Sequence, residues 1–145
     1  MIVELNRAQI DDRLRDAGTG VLALADSGDA YAIPESFGYD GEHLYFQFVF
    51  DDDSRKMSYV ETTAMATHVV YTTDPTASVV VIGTLERVRE DDRASAAAAI
   101  GDNAEIPAVN VSPTKESDAL TYEFYRLTPT EISGRKFEAA QSVVP

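Results

Sequence analysis

The chain is predicted to be mainly β, an antiparallel sheet closed into a barrel with a few short helices, and three observations carry that reading. Short runs of β-branched and aromatic residues are separated by hairpin-type turns. Helical patterning is confined to the start of the chain and to two crossovers. At 145 residues with 44% hydrophobic and 26% charged residues, the chain matches one globular domain, residues 1–145, able to build a core without cross-links. Strands joined by hairpins favour an antiparallel sheet over a parallel one, which needs a helix between every pair of strands.

Leu5-Asn6-Arg7-Ala8-Gln9-Ile10 opens the pattern with a helix start. Asn6 is the N-cap, Gln9 three residues on completes a capping box, and Leu5 with Ile10 forms a hydrophobic staple. The helix is expected to end near Gly18. Val21–Ala25 is a compact apolar strand, and Asp26-Ser27-Gly28-Asp29 turns it into a second strand through Tyr31 and Ile33. Pro34 within that strand requires an edge or irregular position, because proline cannot donate to a ladder. Asp40-Gly41 is the next turn, delivering the aromatic strand 43–50. Ser54 then caps a short helix carrying Met57 and Val60. Strands follow over 66–73 and 78–88, with Gly83 a candidate bulge. Residues 91–100 are alanine-rich and helical, with Gly101 as the expected stop. Residues 105–117, with Pro107 and Pro113, read as a loop. Residues 122–128 form the last main strand, with Tyr122, Phe124 and Tyr125 as core or interface aromatics, and 131–137 continue as a short strand or tail.

Charge excludes several function classes. Twenty-five acidic residues against 12 basic give a formal net charge of −13, which disfavours nucleic acid and anionic membranes as partners. Only three of the basic residues are lysine, and acids cluster as Asp11-Asp12, Asp51-Asp52-Asp53 and Asp91-Asp92. This composition is similar to that of proteins from salt-loving archaea, where concentrated salt screens self-repulsion. Without cysteine there is no disulfide, zinc thiolate or cysteine nucleophile. The charged amino terminus does not read as a signal peptide, and no apolar run approaches a membrane span, so a cytoplasmic protein is expected. His43 and His68 lie apart from any metal-ligand spacing and are expected to be hydrogen-bonded strand residues; no metal is called for. A Gly-x-Ser-x-Gly elbow is missing, which disfavours a hydrolase. Gly18-Thr19-Gly20 is too short for a nucleotide fingerprint.

Five segments in register carry a family resemblance: Gly20–Ala25, Tyr31–Gly41, Leu44–Phe46, Ser54-Arg55-Lys56 and Ser78–Val88, with Ser133-Gly134-Arg135-Lys136 near the end. Together they resemble the pyridoxamine 5'-phosphate oxidase-related FMN-binding proteins. The resemblance implies a split β-barrel homodimer with FMN at the subunit interface, a small-molecule substrate and oxidoreductase activity. It also implies that Ser54, Arg55 and Lys56 hold the phosphate. The chemistry suits them: a helix N-terminus offers free N–H groups, arginine a bidentate fork and lysine a point charge. By the same resemblance the ring lies near Pro34, Glu35 and Ser36, near Phe46, Gln47 and Phe48, and against Ser78 and Val79. No side chain is implied as acid or base. The run Val49-Phe50-Asp51-Asp52-Asp53 and Thr62-Thr63 depart from the family pattern. The deazaflavin F420 is therefore an alternative cofactor, and a non-enzymatic dimer that binds flavin or haem, or has lost its ligand, an alternative function.

Overall fold

The structure, a computed structural model, describes residues 1–103 and 121–138. In chain order its elements are β1 (Ile2–Glu4), α1 (Arg7–Ala17), β2 (Thr19–Asp26), β3 (Asp29–Ser36), β4 (Gly38–Tyr39), β5 (Leu44–Phe50), α2 (Arg55–Thr62), β6 (Ala66–Thr73), β7 (Thr76–Arg87), α3 (Arg93–Asn103) and β8 (Thr121–Phe137). All strands belong to one antiparallel sheet in the order β3-β2-β6-β7-β8-β5-β4, with β1 also on β8.

That order forces closure. β3 and β4 are the two ends of the sheet, yet only Phe37 separates them in the chain. A sheet whose opposite edges are one residue apart has to curl on itself into a barrel. The closure is incomplete, because among the described residues no ladder joins β3 to β5 beyond the two pairs that β4 makes. The fold is a split β-barrel, with a seam between β3 and β5.

Alternation fills the interior. Leu22 and Leu24, Ile33, Phe46 and Phe48, Val70, and Val79 and Val81 point inward with Leu127. Helices add to the interior. α1 begins at Asn6, whose side chain accepts from the Gln9 amide while Gln9 answers the Asn6 amide, and ends at Gly18 with φ 68°. It delivers Leu5, Ile10 and Leu14 to the core near Val79. α2 is capped by Ser54, which accepts from the Met57 amide at 3.3 Å, and contributes Val60 to the same core. Outside the barrel, α3 covers Tyr45 and Phe124 with Ala96 and Ala99. Gly38 lies beneath it, where a Cβ would stand 2.3 Å from the Ala99 carbonyl carbon.

Several expectations need correction. β1 and β4 were not anticipated, being too short to show alternation. β8 is one unbroken strand because it changes partners along its length, pairing with β5, β7 and β1 in turn. The alanine-rich segment enters through a 3-10 turn at Glu90–Asp92, and α3 passes through Gly101 to Asn103. Asn103 donates from its buried amide to the Phe37 carbonyl at 2.9 Å, anchoring the last turn against the roughly 1 kcal/mol helix penalty of glycine. The expected bulge is present: the β7–β8 register shifts between Ile82 and Gly83. The 105–117 loop lies outside the described residues. No helix among them is long and apolar enough to cross a membrane.

Candidate functional site

The sequence Asp51–Lys56 builds the centre of the site. The Asp53 amide donates to Asp51 Oδ1 and the Ser54 amide to the Asp51 carbonyl, a tight turn that aims the chain into α2. The first-turn amides of α2 have no intrahelical acceptor, so they and the helix dipole favour an anion there. Ser54 spends its hydroxyl oxygen on the Met57 amide and keeps its proton to donate. Arg55 is exposed, its guanidinium 5.4 Å from the centre of the Tyr31 ring, which in turn stacks on Tyr59 at 5.1 Å.

Lys56 goes the other way. Its side chain and that of Glu35 are 1% and 3% exposed, with Nζ 3.7 Å from Glu35 Oε2. Nζ also donates to the Val49 carbonyl at 3.4 Å and lies 5.1 Å from the Phe48 ring centre. Glu35 belongs to β3 while Val49 and Phe48 belong to β5, so this ammonium bridges the seam. Burial pulls its pKa below the ordinary lysine value and Glu35 opposes that pull.

The remaining resemblance residues divide by the side of the sheet they face. Phe46 and Phe48 are buried and stack at 5.6 Å. Val79 is buried in the same core. Pro34 is exposed and Ser36, Gln47 and Ser78 are half-buried. Ser78 lies three strands from β3, on the wall of a cleft of about 180 Å³ shared with Arg13, Asp16 and Tyr71. Within one chain, then, Glu35, Phe46, Phe48 and Lys56 form one cluster, Ser54 and Arg55 border it, and Ser78 with Val79 stand apart. Tyr31 is the neighbour that sequence reasoning missed; its alternation marked it only as a strand residue.

The histidines depart from expectation. His68 is fully buried between Phe37 and Phe46, with ring centres 4.9 and 5.2 Å away, and neither nitrogen has a hydrogen-bond partner among the described residues. Burial lowers its pKa to about 3, so it is a neutral core residue. His43 sits 3.5 Å from Asp40, on an open polar cleft of about 420 Å³ with Arg7 and Glu131. Burial alone would raise the Asp40 pKa, but the amides of His43 and Glu42 and the Tyr45 hydroxyl outweigh it and hold the carboxyl below its ordinary range. No described group of three histidines or acids is arranged to hold a metal.

Residues 6–136 match the profile of the family described as pyridoxamine 5'-phosphate oxidase. No curated protein matches the sequence. Among solved structures, a FAD-binding protein from Mesorhizobium loti superposes with a TM-score of 0.73 at 20% identity, covering 96% of this chain and 98% of that one. The FAD binding protein from Mycobacterium smegmatis gives 0.70 at 21% identity over 95% and 100% of the two chains. The FAD and heme binding protein from the same organism gives 0.67 at 22% identity over 92% and 72%. Identities this low establish a shared fold, and the profile match across nearly the whole chain establishes the lineage: the protein belongs to the pyridoxamine 5'-phosphate oxidase family.

Proposed function

We propose that this protein binds a flavin at the interface of a homodimer and acts as an oxidoreductase on a small molecule. The observation that carries the reading is Arg55, an exposed cation at the amino end of α2 and over an aromatic ring, in a chain of net charge −13. Local positive potential in so acidic a protein suits a phosphate. Ser54 and Arg55 would hold that group, and Tyr31 would keep the guanidinium in place. When bound, a flavin supplies the hydride chemistry; the chain supplies binding and shelter from water. The solved relatives described as FAD-binding, and the FMN expected of the family, both support a flavin; F420 belongs in the same trial.

A dimer is supported by the outward face of the sheet. Pro34, Val21, Val69 and Val80 lie in one cross-strand row, with Ala32, Ala23 and Ile82 flanking it. Pro34 and Ala32 are exposed and the others half-covered. A second copy would remove this apolar row from water.

Difference spectroscopy of the purified protein titrated with FMN, FAD and F420, followed by anaerobic reduction with pyridine nucleotide, tests the function. Binding with reduction and reoxidation supports the oxidoreductase. Binding without turnover points to the second reading, a flavin-holding module, which the exposed Asp52 and Asp53 beside the site favour because they weaken retention of an anion. Binding of none of the three by a folded dimer contradicts both.

A further inference from the structure

We propose that the cleft between α1 and the β6–β7 hairpin binds a small zwitterion with an apolar side chain, of the α-amino-acid class. This site goes beyond the flavin reading and does not depend on it. Its wall residue Ser78 is three strands from β3, and its volume of about 180 Å³ is below the roughly 300 Å³ at which pockets for larger organic ligands begin. At roughly 30 Å³ per molecule it has room for about six waters, which suits a small ligand.

Each wall supplies one part of the recognition. Val70 and Val79, cross-strand partners on β6 and β7, are buried and form an apolar floor. α1 supplies the charges. Asp12 and Asp16 lie one helical turn apart, both are exposed, and neither makes an ion pair among the described residues. Like charges at that spacing repel each other, and a cation set between them relieves the repulsion. Arg13 crosses instead to the hairpin, where its guanidinium is 3.5 Å from Thr72 Oγ1; the Thr72 hydroxyl donates its own proton to the Pro75 carbonyl at 2.6 Å. That contact uses one nitrogen of Arg13 and leaves the rest of the fork for a carboxylate. An amine without a carboxylate would meet Arg13 unanswered, and a carboxylate without an amine would meet the two aspartates. A ligand with ammonium and carboxylate on neighbouring atoms answers all three side chains, while its apolar group displaces water from the valine floor.

Isothermal titration of the full chain with L-leucine, with isoamylamine, which lacks the carboxylate, and with isocaproate, which lacks the amine, tests the proposal. L-Leucine is expected to saturate the protein and to bind about tenfold more tightly than either analogue, the difference made by one charge-assisted hydrogen bond. Arg13→Gln is expected to weaken L-leucine about tenfold without weakening isoamylamine. Asp12→Asn with Asp16→Asn is expected to weaken L-leucine to a similar extent without weakening isocaproate. Failure of the folded protein to saturate with L-leucine, equal affinity for all three compounds, or L-leucine affinity unchanged in either variant would overturn the inference. Repeating the titration on protein saturated with flavin separates the two sites: unchanged L-leucine affinity supports a site of its own, and competition would overturn it by giving the cleft to the flavin. Protein that binds L-leucine but no flavin would contradict the flavin reading and leave this site standing.

Discussion

The buried titratable side chains Glu35 and Lys56 behave in the opposite way to His68. Glu35 and Lys56 form a buried ion pair. Lys56→Met alone, or Glu35→Leu alone, is expected to destabilise the protein by about 3 to 5 kcal/mol, since either removes one charge of a buried ion pair. The double replacement Glu35→Leu with Lys56→Met is expected to fall near wild-type stability or above it. Chemical denaturation of the four proteins gives the coupling; additive losses would mean that the two side chains do not interact. His68 has no hydrogen-bond partner among the described residues. Its folded pKa of about 3 lies below the 6.5 of the unfolded chain, so the folded state binds fewer protons. Its contribution is present in full above pH 6.5 and is lost progressively as pH falls toward 3, by up to roughly 5 kcal/mol at 1.36 kcal/mol per pH unit. Gly20 accounts for the tight fit, since a Cβ there would stand 2.7 Å from His68 Nε2. In His68→Leu the loss of stability between pH 6.5 and 4 should be markedly shallower than in the parent protein, measured by denaturation at each pH. Equal slopes would show that the carboxylates alone govern acid unfolding.

At the scale of elements, what the sequence revealed follows from how local each signal is. The capping box at Asn6 and Gln9, the cap at Ser54, the turns at Asp26–Asp29 and Asp40-Gly41 and the Gly83 bulge are set by neighbouring residues, and each was legible. β1 and β4 owe their pairing to distant strands, so no local pattern announced them. α3 overran Gly101 because the Asn103–Phe37 hydrogen bond, 66 residues away in sequence, outweighs a weak propensity. The same distinction governs the candidate site. Family resemblance singled out Ser54-Arg55-Lys56, but whether a lysine turns outward or inward is decided by Glu35 on another strand. Gly83 shows how narrow the tolerance is at a bulge. A Cβ there would meet the Thr128 carbonyl oxygen at 2.0 Å, so Gly83→Ala must push β7 from β8. Thermal unfolding should show a loss of about 1 to 3 kcal/mol. A neutral result would mean that the bulge can move along the ladder.

The whole molecule joins an acidic composition to an apolar sheet face. Val69→Glu with Val80→Glu puts two charges in the centre of the Pro34–Val21–Val69–Val80 row without touching the interior. Sedimentation should then show a monomer of retained secondary structure. Because each chain carries −13, association should also strengthen with salt, as screening shortens the reach of the repulsion to about 3 Å at 1 M. A variant that remains dimeric would place the interface elsewhere on the barrel.

Whether a flavin is held at the amino end of α2 is decided by sedimentation velocity with detection in the flavin absorption band. Wild-type protein mixed with flavin should carry the visible absorbance in a dimer-sized boundary. Arg55→Ala, an exposed change expected to leave the fold intact, should weaken that association by about 10- to 100-fold, the value of one charge-assisted hydrogen bond of about 1.5 to 3 kcal/mol. Flavin that sediments as free ligand with the folded wild-type protein would show that the protein holds none, and flavin that stays fully bound to the Arg55→Ala protein would place the site away from the amino end of α2.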